Sequence, residues 1–161
     1  MAKTKRTKRL TFIFIMLVSL IAIMGVLDSI QIGSWHQVED VDKWEKYLDG
    51  SQQVYLWLWM IIFSVIGITY YLFSKDISES LAIVVAGGTM LYTGLLDVFF
   101  FWFSKYEMTP QMCWFSESII GMFSNKVMGH ACVTPFDLYL LSGIGVVLAI
   151  VFFRLLISYK K

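Results

Sequence analysis

Residues 81–103 form a predominantly apolar run that contains a single charge, Asp97. A helix needs about 20 apolar residues to cross the hydrocarbon of a bilayer. This run is long enough, and three more of the same kind occur at about 10–30, 54–74 and 137–158. Four such runs leave no chain for a soluble domain, and a soluble fold of 161 residues could not hide a 58% hydrophobic share. The expected class is all-α. Residues 1–161 should form one polytopic membrane domain, a four-transmembrane-helix bundle with interfacial helices in its two longer loops.

Charge sets the expected orientation. Lys3, Lys5, Arg6, Lys8 and Arg9 precede the first run, Lys75 separates the second from the third, and Arg154, Lys160 and Lys161 end the chain. Lys43, Lys46, Lys105 and Lys126 remain for the other side. Positive charge stays in the cytoplasm. Both termini are therefore expected inside a cell membrane, with loops 31–53 and 104–136 outside. The first apolar run, about 18 residues long, exceeds the 7–15 of a signal peptide and closes with no Ala-x-Ala site, so it should be retained as a span.

In the first outer loop, Val38, Val41, Trp44, Tyr47 and Leu48 recur at helical spacing among acidic residues. This predicts a short amphipathic helix on the membrane surface, ending near Asp49-Gly50-Ser51. His36, Glu39, Asp40 and Asp42 have the donors for a hard cation there, but a solvated acidic face is the simpler reading. Ser78 is available to cap the third span. Gly87, Gly88 and Gly94 in that span, with Gly143, Gly145 and Ala149 in the fourth, predict a close helix pair. In the second outer loop, Trp114, Phe115, Ile119, Met122, Phe123 and Val127 predict another interfacial or re-entrant helix, bounded by Pro110 and Gly129. Thr134 or Asp137 can cap the fourth span.

Cys113 and Cys132 are the only cysteines and flank that loop helix. On the outer side of a membrane a disulfide is the simplest reading. The competing reading is a soft-metal site, copper or zinc, built on His130, Met128 and Met112 with the two thiols, since thioether, imidazole and thiolate suit copper(I).

The sharpest candidate is Asp97. An ionisable residue inside a span is costly there and marks a functional site by default. Thr89, Thr93 and Asp97 follow at four-residue steps, which places them on one face of an unbroken helix. Asp28, Asp137 and His130 belong to the same outer side, where they and Asp97 could form one outward pocket. Asp28 is expected at the outer helix end. Asp97 then serves as a proton carrier or ligand, or as packing glue bonded to Thr93 or across the bundle.

Several catalytic classes fall away. Neither His36 nor His130 lies within a span, so bis-histidine haem ligation inside the bundle is excluded. No Gly-x-Gly-x-x-Gly, P-loop, His-Glu-x-x-His or Gly-x-Ser-x-Gly occurs. The first loop lacks the Cys-x-x-Cys of four-helix thiol oxidases, and the first span lacks the glutamate of four-helix multidrug exporters. The expected function is a non-catalytic integral membrane subunit or accessory protein of a larger complex. Two alternatives stand beside it: a small proton, cation or solute carrier or channel using Asp97, and a membrane enzyme or metal-handling protein with an outward-facing metal ion. Expected partners are the bilayer and either other membrane subunits or further copies of the chain, not nucleic acid.

Overall fold

The computed structural model describes residues 2–35, 41–104, 108, 110–115 and 118–158, with 2–8, 29, 31–35, 41–56, 114 and 157–158 described by backbone alone. His36, Glu39 and Asp40 lie outside the described residues. Every regular element described is helical: α1 (Ala2–Trp35), α2 (Val41–Ser74), α3 (Ile77–Tyr92), α4 (Leu95–Phe103), α5 (Ile119–Phe123) and α6 (Pro135–Ser158). A 3₁₀ turn (Cys113–Phe115) precedes α5 and a π turn (Ser124–Met128) continues it. The only extended pairing described is a lone antiparallel bridge between Met112 and Val133. Three helices are long and apolar enough to cross a membrane, through Arg9–Asp28, Trp57–Ser74 and Pro135–Leu156, and a fourth span exists if α3 and α4 are one bent crossing.

α3 is the axis of the molecule, with α6, α2 and α1 packed around it. Small residues permit the approach. A Cβ on Gly87 would meet the Phe63 ring of α2, and one on Gly145 of α6 would collide with Thr93. The third and fourth apolar runs are thus close neighbours. Gly25 does the same for α1 and α4, where a Cβ would lie 2.8 Å from the Phe100 nitrogen. Leu17, Ile21 and Met24 of α1, Phe63, and Ile83 and Met90 of α3 fill the main core. A smaller core of Met112, Phe115, Ile120, Val133 and Leu138 forms a cap at the end of the bundle where α3 gives way to α4.

The run 81–103 is not one helix. It breaks at Thr93-Gly94 and turns by 59° into α4. Gly94 has φ +85°, a left-handed conformation that costs a side-chain-bearing residue about 1–2 kcal/mol. The Thr93 hydroxyl donates to Thr89 O at 2.9 Å, a bond that competes with regular helix. The Thr93 carbonyl freed by the break accepts from Ser142 Oγ of α6 at 2.9 Å. Irregular backbone at membrane depth persists only with such a partner or a wet cavity.

Three further expectations change. The amphipathic segment of the first loop is no separate surface helix, because α2 runs unbroken through Asp49-Gly50-Ser51. Carrying a helix through one glycine costs about 1 kcal/mol, less than nucleating a second helix. α3 is capped by Asp76 and not Ser78: the Asp76 carboxylate accepts from the Ser78 and Glu79 amides at 3.1 and 3.2 Å. α1 continues to Trp35, so Asp28 is about two turns inside its helix and not at its end. The second-loop helix does form, shortened to α5 with its π turn, and Gly129 stops it at φ +74°.

Candidate functional site

The structure distributes the predicted site residues over two places. Asp137, His130 and Ser124 meet in the cap, whereas Asp97 and Asp28 stand on α4 and α1, two helices that pack on each other.

In the cap, local sequence dictates most of the geometry. Thr134 and Asp137 bracket the first turn of α6 as a reciprocal capping pair. The Thr134 amide donates to Asp137 Oδ2 at 2.9 Å, and the Asp137 amide donates to Thr134 Oγ1 at 3.3 Å. The left-handed turn at Gly129 then returns the chain, placing His130 Nδ1 2.9 Å from Asp137 Oδ2. Ser124 Oγ donates to the same oxygen at 2.7 Å. Asp137 is 0% exposed, and its carboxylate has three partners. Cys113 and Cys132 are joined as a disulfide, with Cα atoms 4.5 Å apart. The bridge beside it has the Met112 amide donating to Val133 O at 2.8 Å.

That arrangement leaves the soft-metal ligands dispersed. The two sulfurs are bonded to each other, Met112 is fully buried in the cap core, Met128 is half-buried, and His130 Nδ1 is directed at Asp137. Among the described residues, no group of three or more His, Cys, Asp or Glu is placed to hold a metal ion.

Asp97 stands on the first turn of α4, just past the break. The bend separates it from the threonines that precede it. The Thr89 hydroxyl donates to Val85 O at 2.8 Å and the Thr93 hydroxyl to Thr89 O, so both are spent on their own helix. The charged group that acts on Asp97 is Asp28 of α1. Their proximity follows from Gly25, one turn before Asp28, whose missing side chain lets α1 rest on Leu96, Phe99 and Phe100. Among the described residues, no side chain donates a hydrogen bond to Asp97. Asp137 is held by another set of partners, so the three carboxylates do not form one group.

A further carboxylate, Glu79, escapes the sequence reading, since it precedes the third apolar run. It is 1% exposed on the first turn of α3. Arg9 Nη2 of α1 lies 2.8 and 2.6 Å from its two oxygens, and Tyr70 Oη of α2 donates to it at 2.6 Å. A signal does exist: Asp76-x-x-Glu79 before an apolar run has the spacing of a helix start. The pairing with Arg9, 70 residues away, has none.

No known protein family, curated protein or solved structure matches the chain.

Proposed function

We propose that the chain is a small integral membrane carrier or channel for a cation, a proton in the simplest case, with Asp97 as the group that holds it and Asp28 as its companion. The observation behind this is a carboxylate on the apolar helix α4, Asp97, with Asp28 of α1 as its charged neighbour where Gly25 seats α1 against α4. Asp97 lies about 9 Å from the end of α4 at 1.5 Å per residue, and Asp28 closes the apolar stretch Arg9–Asp28 of α1. A carboxylate within an apolar helix and near a second one is costly, and a proton or small cation held at Asp97 offsets that cost. The broken span supports the reading, since discontinuous helices recur at ion sites of transporters.

The proposed frame is a four-span bundle with both termini cytoplasmic and residues 31–53 and 104–136 outside. Arg9 and Lys75 lie at the end opposite the disulfide, which agrees with basic residues facing the cytoplasm and an oxidised pair facing out. Reconstitution into liposomes with an entrapped pH dye and an imposed gradient tests the function. The wild-type chain should relax the gradient, and Asp97→Asn should slow it at least tenfold with unchanged helix content. Wild-type vesicles that leak no faster than empty ones would defeat the proposal, as would an Asp97→Asn protein of full activity.

A second reading, a non-catalytic subunit of a larger membrane complex, is favoured by α2. Its main partner is α3, and Leu58, Ile61, Val65 and Leu72 remain exposed along it. Native mass spectrometry after gentle extraction tests this: a fixed-stoichiometry partner supports it, and a lone chain or homo-oligomer counts against it.

A further inference from the structure

An open groove of about 280 Å³ runs along the seam of α2 and α3 beside the turn that joins them. Its lining runs from Ser64 to Tyr71 on α2 and from Ile77 to Val84 on α3, about 10 Å along each helix. The floor offers no polar handle. Ser64 Oγ donates to Met60 O at 2.7 Å, and Ser80 Oγ donates to Gly67 O, so both hydroxyls are spent within the protein. The walls are aliphatic, with Ile68 61% and Leu81 49% exposed. Such a surface accepts a hydrocarbon chain and rejects a polar solute, because a buried polar group without a partner is costly.

The end of the groove differs. Tyr71 lines it, and Lys75 Nζ lies 6.0 Å above the Tyr71 ring. Lys75 has φ +54°, the left-handed conformation in which a helix C-terminus ordinarily places glycine. A lysine is thus kept at a position where its backbone is strained, and strain of this kind collects at functional positions. The neighbouring charges are otherwise engaged. Asp76 caps α3, and Arg9 pairs with Glu79. Among the described residues, Lys75 makes no ion pair.

An apolar groove that ends on an unpaired cation complements a molecule with a hydrocarbon tail and an anionic head. We propose that the α2–α3 groove is a binding site for an anionic phospholipid, with one acyl chain along Ile68, Leu81 and Val84 and the phosphate on Lys75. A lipid held here would tie the α2–α3 turn to the basic face of the bundle. Basic pockets between spans on that side commonly hold such headgroups.

The test is native mass spectrometry of the full chain released from nanodiscs containing equal phosphatidylglycerol and phosphatidylcholine. The wild-type chain should retain one phosphatidylglycerol in preference to phosphatidylcholine. Lys75→Gly relieves the backbone strain, so it should fold, and it should lower that preference about fivefold, the equivalent of ~1 kcal/mol for one lysine near a membrane surface. Lys75→Arg should keep the preference. Ile68→Trp fills the groove from its exposed rim and should remove the retained lipid of either kind. Equal retention of the two lipids by the wild-type chain would overturn the proposal. So would an unchanged preference in Lys75→Gly, retention by Ile68→Trp equal to wild type, or a second copy or another protein in place of the lipid.

Discussion

Asp137 and Asp97 are both carboxylates on the first turn of a helix in an apolar chain, and their surroundings are opposite. Asp137 has its capping threonine three residues away, a serine and a histidine brought round by Gly129, and a disulfide closing the loop. Asp97 has an all-apolar helix behind it and a second carboxylate, Asp28, as its charged neighbour. Glu79 resembles Asp137, since an arginine and a tyrosine occupy its oxygens. A carboxylate whose partners are all supplied by the fold is a structural element. One that the fold places near a like charge, as Asp97 is, is the proposed seat of a cation.

The contrast predicts a ranking in stability, measured by unfolding in mixed detergent. Asp137→Ala strands the Thr134 amide and the buried Ser124 hydroxyl, while His130, 41% exposed, can return to water; at about 2 kcal/mol for each stranded donor the loss should be about 4 kcal/mol. A loss below about 1 kcal/mol would mean that the cap does not depend on its carboxylate. Opening the disulfide with Cys113→Ser and Cys132→Ser should cost about 3 kcal/mol by the chain-entropy estimate for a closed loop of 19 residues. Because the cysteines close the loop that carries Ser124 and His130, this loss should add less than fully to that of Asp137→Ala. Additive losses would show the bond and the network to be independent.

Glu79→Gln should cost less, about 1 kcal/mol. Arg9 is 51% exposed and can return to water, and Tyr70 can still donate to the amide oxygen. A cost above 3 kcal/mol would place Glu79 beside Asp137 as a principal support of the bundle.

The legibility of these regions follows the sequence distance of their partners. The disulfide, the capping pair of Thr134 and Asp137, and the stop at Gly129 are contacts within one loop, so residue type and spacing reveal them. The apolar runs show in the same way, because length and composition alone set what can cross a bilayer. The break at Thr93-Gly94 does not show. A glycine in an apolar helix costs about 1 kcal/mol whether or not the helix bends, and the bend relies on Ser142, 49 residues away. The Glu79–Arg9 pair spans 70 residues and is equally silent. Extension of α2 through Asp49-Gly50-Ser51 was hidden differently: those residues signal a turn locally, and helix cooperativity overrides them. Asp97 was visible as an oddity, but its neighbour was not, because the meeting with Asp28 depends on how closely Gly25 lets α1 approach α4.

The smallest predicted effect on stability is therefore the most informative. Asp97→Asn removes no hydrogen bond that a described side chain donates, and it relieves the repulsion of Asp28. Unfolding should shift by no more than about 0.6 kcal/mol, the mean worth of a polar contact between membrane helices, in either direction, even though cation movement is slowed at least tenfold. If Asp97 were packing glue, the same substitution would behave as a muted Asp137→Ala, with activity falling only in proportion to the folded fraction. Asp28→Asn sharpens the distinction. With one carboxylate kept at the seam, it should leave stability equally untouched and slow cation movement less than Asp97→Asn does. A double substitution no slower than Asp97→Asn alone would show that both carboxylates act in one step, since groups that work as a unit are not additive.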